Sequence, residues 1–153
     1  MKKLKVLIMC AMTLAGLIVL HAAIQARYLV LDSIKITEEF DCAIIKVSFN
    51  FPVRYIRHFP YESGGELRVE IKPIVTSEED KKSLFTRESL TPPSNEVASL
   101  EEVLYEGNLE GGPFLTFYFG RTVDFKVEQG PDFRSIVVSA SRPDSSRKCQ
   151  LSH

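Results

Sequence analysis

Two stretches of the chain carry the same alternation of apolar and polar positions. In Ile45-Lys46-Val47-Ser48-Phe49-Asn50-Phe51-Pro52-Val53-Arg54-Tyr55 the apolar residues fall on every second place, and the series returns as Leu115-Thr116-Phe117-Tyr118-Phe119-Gly120-Arg121-Thr122-Val123-Asp124-Phe125. Ile45 answers Leu115, Val47 answers Phe117, Phe49 answers Phe119, Val53 answers Val123 and Tyr55 answers Phe125, all at one constant offset; only Phe51 against Arg121 breaks the match. A period of two belongs to a strand with one buried face. Asn50-Phe51-Pro52 and Gly120-Arg121-Thr122 have the chemistry of turns. Each copy therefore predicts a tight pair of strands.

The same alternation extends outward from these copies. Leu29, Leu31, Ile34 and Ile36 predict a first strand over 28–37, with a bulge at Asp32-Ser33 where the phase slips. Strands follow over 43–51 and 53–59, with Pro52 tolerable at their junction. Ser63-Gly64-Gly65 reads as a turn. Leu67, Val69 and Ile71 alternate with Arg68, Glu70 and Lys72, which gives a half-buried strand with a charged outer face. Ser77-Glu78-Glu79-Asp80 has the acids of a helix start, and Thr91-Pro92-Pro93 ends any helix. In the second half, strands are predicted over 100–106, 114–119 and 123–127, and Ile136, Val138 and Ala140 mark the last. Aligning that last strand with Leu67, Val69 and Ile71 requires a shift of one residue.

Eight strands in two four-stranded meanders, 28–74 and 99–141, joined by a connector over 75–98 with room for a short helix, have two apolar faces to hide. An all-β sandwich of two related antiparallel sheets hides both. The alternative is a Greek-key sandwich without internal symmetry. The folded unit is expected over 27–141, followed by a polar, disordered tail over 142–153 that is either a natural ending or a linker to a further domain.

Residues 1–26 change the picture from fold to compartment. Lys2, Lys3 and Lys5 precede a nearly continuous apolar run from Val6 to Leu20, and Ala22-Ala23-Ile24-Gln25-Ala26 offers small residues for cleavage, which is the pattern of a secretory signal. Retention as a membrane anchor is the competing reading, since the run falls just short of the ~20 residues that span a bilayer. Cys10 sits too early, and after Met9, to accept a lipid. The whole chain has a formal charge of −1, and the three signal lysines have no acidic neighbour, so the remainder carries −4. A mildly acidic surface is a poor match to nucleic acid. Of the cysteines, Cys42 and Cys149 lie beyond the signal; an oxidising compartment would allow them to pair, but the polar surroundings of Cys149 leave the question open.

Three runs resemble the AMIN family, the small β-domain of bacterial cell-wall amidases and of secretin and type IV pilus proteins. They are Ile44-Ile45-Lys46-Val47-Ser48-Phe49, then Phe51-Pro52-Val53-Arg54-Tyr55, then Glu66-Leu67-Arg68-Val69-Glu70-Ile71. The family often closes the third run with Asp and an aliphatic residue, where this chain has Glu70-Ile71. The resemblance covers most of 33–141 and implies two related four-stranded sheets packed together. It also implies a periplasmic module that binds peptidoglycan or positions an envelope partner, without cofactor or catalysis.

Candidate binding residues come from one short segment. Arg54, Tyr55, Arg57, His58, Phe59 and Tyr61 bring together aromatic faces and planar donors, the groups that sugar rings require. Tyr55 shares the register of Val53 and is expected in the core, and Arg54 on a solvated face. Arg57, His58 and Tyr61 lie where strand gives way to loop and are the primary candidates. Arg121 and Arg134, with Asp132, border corresponding turns of the second half. The alternative is a protein-interaction scaffold for a pilus, secretin or cell-division assembly, with a partner strand added to an open sheet edge. An enzyme is the weakest reading. A Ser-His-Asp arrangement would have to use His58, no Gly-x-Ser-x-Gly elbow or phosphate loop is present, and no Cys/His spacing suggests a metal.

Overall fold

The computed structural model describes residues 29–145 and Cys149. The predicted signal over 1–26 lies outside the described residues, as does most of the tail. The described chain is mostly antiparallel β-sheet: β1 (Leu31–Glu39), β2 (Cys42–Phe49), β3 (Val53–Phe59), β4 (Ser63–Pro73), a short helix α1 (Glu78–Ser83), β5 (Arg87–Leu90), β6 (Leu100–Glu106), β7 (Phe114–Gln129) and β8 (Ser135–Ser141). Helix α1 begins where the acids predicted it, with the Ser77 hydroxyl accepting from the Asp80 N–H at 3.0 Å. The connector also holds β5, which its sequence did not announce.

Alternation places one apolar face inward. Ala43, Ile45, Val47 and Phe49 of β2, Leu67, Val69 and Ile71 of β4, Leu115, Phe117 and Phe119 of β7, and Ile136, Val138 and Ala140 of β8 belong to a single core. Val47 and Phe117 are completely buried.

Strand pairing departs from two separate meanders. β2 lies between β1 and β8, β4 lies between β3 and β7, and β6 joins β7 and β5. The halves thus exchange strands: β8 of the second completes the neighbourhood of β2, and β4 of the first completes that of β7. The repeat survives this exchange in its register. Ile36↔Ile45 and Ile34↔Val47 recur as Tyr105↔Leu115 and Val103↔Phe117. Ile45↔Val138 and Val47↔Ile136 recur as Leu115↔Val69 and Phe117↔Leu67. Tyr55↔Ile71 recurs as Phe125↔Ala140. The bulge predicted at Asp32 lies between Leu31 and Ser33, and its counterpart lies between Leu100 and Glu102.

Neither copy is the tight hairpin its turn chemistry suggested. In the first, β2 and β3 do not pair with each other; Pro52, which has no N–H to give a ladder, ends one strand before the next begins. In the second, Gly120-Arg121-Thr122 contains no proline, and β7 runs unbroken for 16 residues. Ser63-Gly64-Gly65 is the start of β4 and not a turn; the register shift there, between Gly64 and Glu66, uses the extra residue as a bulge. Cys149 is disulfide-bonded to Cys42, with the Cα atoms 5.4 Å apart.

Candidate functional site

The end of β3 and the outer face of β4 form a groove of about 580 Å³. Strand β3 changes face on the way to it: a register shift between Tyr55 and Arg57 sets Arg57 opposite Glu70 and Phe59 opposite Arg68. The turn that follows carries a cis Phe59–Pro60 peptide and Tyr61. From β4 the outward positions Glu66, Arg68 and Glu70 supply the floor, and Phe114, opposite Glu70 at the start of β7, closes the far side.

The site is aromatic and polar in nearly equal parts. Phe59 and Tyr61 are each 71% exposed, with their rings edge to face at 6.4 Å. Such exposure of two adjoining aromatic rings is unusual for a surface with no partner. Arg57 donates from Nε to Glu70 Oε2 at 2.6 Å. Arg68 is less well served. Its guanidinium lies 5.6 Å from the centre of the Phe114 ring, and its Nη2 reaches Glu66 Oε1 only at 3.5 Å. Its Nε is shielded from water and has no hydrogen-bond partner among the described residues. An unsatisfied buried donor costs about 1–3 kcal/mol.

His58 braces the groove from behind. A carbonyl only accepts, so Nε2–H donates to the Tyr61 carbonyl at 3.0 Å, and Nδ1 pairs with the Tyr55 hydroxyl at 2.6 Å. Both ring nitrogens are hydrogen-bonded within the protein. Burial, followed by the neighbouring Tyr61, raises the Tyr55 hydroxyl above the usual tyrosine range and keeps it protonated for this bond. Tyr55 packs half-buried against the core as its register predicted, and Arg54 is exposed.

Of the residues predicted from sequence, Arg57, His58 and Tyr61 meet in this groove, and Arg121 and Arg134 do not line it. Arg121 donates from Nε to Ser99 Oγ at 2.9 Å and from Nη2 to the Glu96 carbonyl, fastening the connector to β7. Arg134 donates from Nη1 to the Asn50 carbonyl at 2.9 Å, across the break between β2 and β3. Asp132 accepts from Lys46 Nζ at 2.7 Å, from Ser135 Oγ and from the Arg134 N–H. The lysine first, with those hydroxyl and backbone donors, holds its carboxyl down at about 2. Asp132 and Arg134 thus organise the turn between β7 and β8.

Arg68, Phe114, Glu66 and Glu70 were not singled out from the sequence. The alternation over 67–71 marks Arg68 as outward, but only the pairing of β4 with β7 brings it to Phe114. Beyond Arg68 the same face is acidic: burial and then Glu66, Glu106 and Glu102 raise the Tyr118 hydroxyl above its usual range, while Arg68 pulls the other way. Among the described residues no cluster of His, Cys, Asp and Glu has the arrangement of a metal site, and no helix is long and apolar enough to cross a membrane. The chain matches no known protein family, no curated protein and no solved structure.

Proposed function

We propose that this chain is an exported, AMIN-like binding module of the bacterial envelope, and that its groove holds a strand of peptidoglycan glycan. On this reading residues 1–26 direct export to the periplasm. The strands then act as two packed layers, β1–β2–β8 and β6–β7–β4, each mixing strands from both halves, and the matching pairings of the two sets support that arrangement.

The observation that carries the proposal is the pair of exposed rings, Phe59 and Tyr61, beside Arg57 and Arg68 in one groove. Sugar rings present apolar C–H faces to aromatic side chains and hydroxyls to planar donors, and both partners stand here within a cleft of saccharide size. The scaffold alternative depends on an open edge. On β3, the Val53 N–H donates to the Phe133 carbonyl at 2.8 Å and the Tyr55 N–H to Gln129 Oε1 at 2.7 Å. At β1, Val30 and Leu31 donate to the Glu88 carboxylate. These four donors are thus occupied, which leaves a partner strand less of either edge to pair with.

The test is co-sedimentation of the purified chain with peptidoglycan sacculi. Binding that Tyr61→Ala and Phe59→Ala each weaken about fivefold is the expected result, since one aromatic contact contributes on the order of 1 kcal/mol. Wild-type protein left in the supernatant at low salt would sink the glycan reading.

A further inference from the structure

We infer that the outer face of β7 and β8 carries a second binding site, for a short aliphatic diamine, with the ammonium groups on Asp124 and Glu62 and one of their N–H donors on Ser139.

The strand register places the site. Residues directly opposite each other in an antiparallel ladder share a face. Ser63 of β4 stands opposite Asp124 of β7, and Asp124 opposite Ser141 of β8; one pair further on, Lys126 stands opposite Ser139. Phe125 and Ala140, between them, belong to the core, so these polar residues lie on the other side of the sheet. An outward serine is ordinarily open to water, yet Ser139 and Ser141 are only 2% and 6% exposed. Cys149 borders the same place, bonded to Cys42, which stands opposite Ser141 on β2, and Glu62 joins from the turn before β4. Together they enclose a pocket of about 300 Å³, which shares no lining residue with the β3–β4 groove.

Its unused polar groups define the ligand. Ser139 Oγ is buried and has no hydrogen-bond partner. A hydroxyl in that condition is costly to the fold unless something pairs with it. Among the described residues the carboxylates of Glu62 and Asp124 take part in no hydrogen bond or ion pair, whereas Lys126 is held by Glu128 Oε1 at 2.5 Å. The lining is therefore negative and rich in acceptors. An anion would be repelled by both carboxylates. A neutral alcohol could pair with Ser139 but would leave two charges uncompensated. A diammonium answers all three groups, since each –NH₃⁺ brings three donors and no acceptor, and its bonds to carboxylates are charge-assisted. The volume stands at the lower end for small-molecule pockets, which suits a chain of a few methylenes.

Titration calorimetry of the purified full chain at fixed ionic strength takes butane-1,4-diamine as the probe, with butane-1,4-diol and magnesium chloride as controls for chain length and for charge alone. The diamine is expected to saturate a single site at least about tenfold more tightly than either control. Asp124→Asn is expected to weaken it about tenfold or more, through loss of a charge-assisted bond. Ser139→Ala is expected to weaken it about fivefold while the thermal midpoint holds or rises, because the hydroxyl removed is unpaired in the free protein. A serine kept for the fold alone would show the reverse, a lowered midpoint and unchanged diamine affinity. Absence of saturable diamine binding, equal binding of the diol or of magnesium, or an affinity that either folded variant leaves unchanged overturns the inference. Sacculus binding is read independently, since the two sites share no lining residue, so either reading can fail while the other stands.

Discussion

His58 shows what a single side chain contributes when its position in the fold is known. From sequence it is a candidate ligand residue and the only histidine a catalytic reading could use. In the structure it spans Tyr55 and the Tyr61 carbonyl, so its role is to hold the turn that presents Phe59 and Tyr61. His58→Ala is expected to cost about 1–2 kcal/mol of stability through the two lost hydrogen bonds, and to weaken sacculus binding through loss of order at Tyr61. Urea unfolding and co-sedimentation check the two effects separately. Asp132 offers a second residue-scale prediction. Its pKa falls from the ordinary 3.8 to about 2, so its contribution is complete above the unfolded value and is lost as pH falls from about 4 to about 2. Because Lys46 and Asp132 are each 41% exposed, solvent screening holds the effect to about 1 kcal/mol or less. Asp132→Asn should therefore lower the urea midpoint slightly at pH 7, with the deficit shrinking as pH falls from about 4 through about 2. Residue identities such as these were legible in the sequence. The partners of Tyr55, Arg57 and Arg68 were not, because Gln129, Glu70 and Phe114 arrive from other strands.

At the scale of elements, alternation named most strands, and the misreadings occur where two kinds of turn residue look alike. Asn50-Phe51-Pro52 and Gly120-Arg121-Thr122 occupy equivalent places in the repeat, yet only the first ends a strand. Proline removes a ladder donor, whereas glycine merely frees the backbone. Gly120 is used for close approach: its N–H donates to the Ser99 carbonyl at 2.7 Å, and a Cβ there would fall 2.5 Å from Glu101 Oε1. That carboxylate belongs to a flexible side chain and can move. Gly107, at the end of β6, has no such latitude, since a Cβ would lie 1.6 Å from the Leu84 backbone carbonyl. The same carbonyl accepts from the buried Tyr105 hydroxyl at 2.7 Å, so the connector cannot retreat without losing that bond. Gly107→Ala is expected to destabilise the protein by about 2–3 kcal/mol, more than Gly120→Ala, with chemical denaturation as the measurement. β5 was missed because Arg87-Glu88-Ser89-Leu90 has a single strongly apolar residue; it exists because β6 offers it an edge and Glu88 reaches Val30 and Leu31.

Among the described residues, two halves with matching registers complete each other's pairings. The constant offset between the copies was readable, as was the one-residue shift of the last strand, and both reappear as matched registers. Which half each outer strand would join was not readable, because Leu67 and Ile136 present the same apolar face to either neighbour. The exchange has a consequence for stability: neither half has a closed set of pairings alone, so the described strands are expected to unfold together. The disulfide acts at this scale. Cys42 opens β2 opposite Ser141 of β8, and Cys149 reaches it from beyond the last strand, across a separation of 107 residues. No ladder hydrogen bond depends on it, since β2 and β8 are already paired along their length. Its effect therefore falls mainly on the unfolded chain, where closing so long a loop removes entropy worth about 4–5 kcal/mol in the chain model and about 2–4 kcal/mol in typical measurements. Reduction is expected to lower the unfolding free energy by that smaller amount and to raise the denaturant slope as the unfolded chain expands, while the native far-ultraviolet spectrum stays unchanged. Cys149→Ala should reproduce the shift and make the protein indifferent to reductant. A urea midpoint that ignores reductant in the wild-type chain would show that the bond adds nothing to a fold already closed by its exchanged strands.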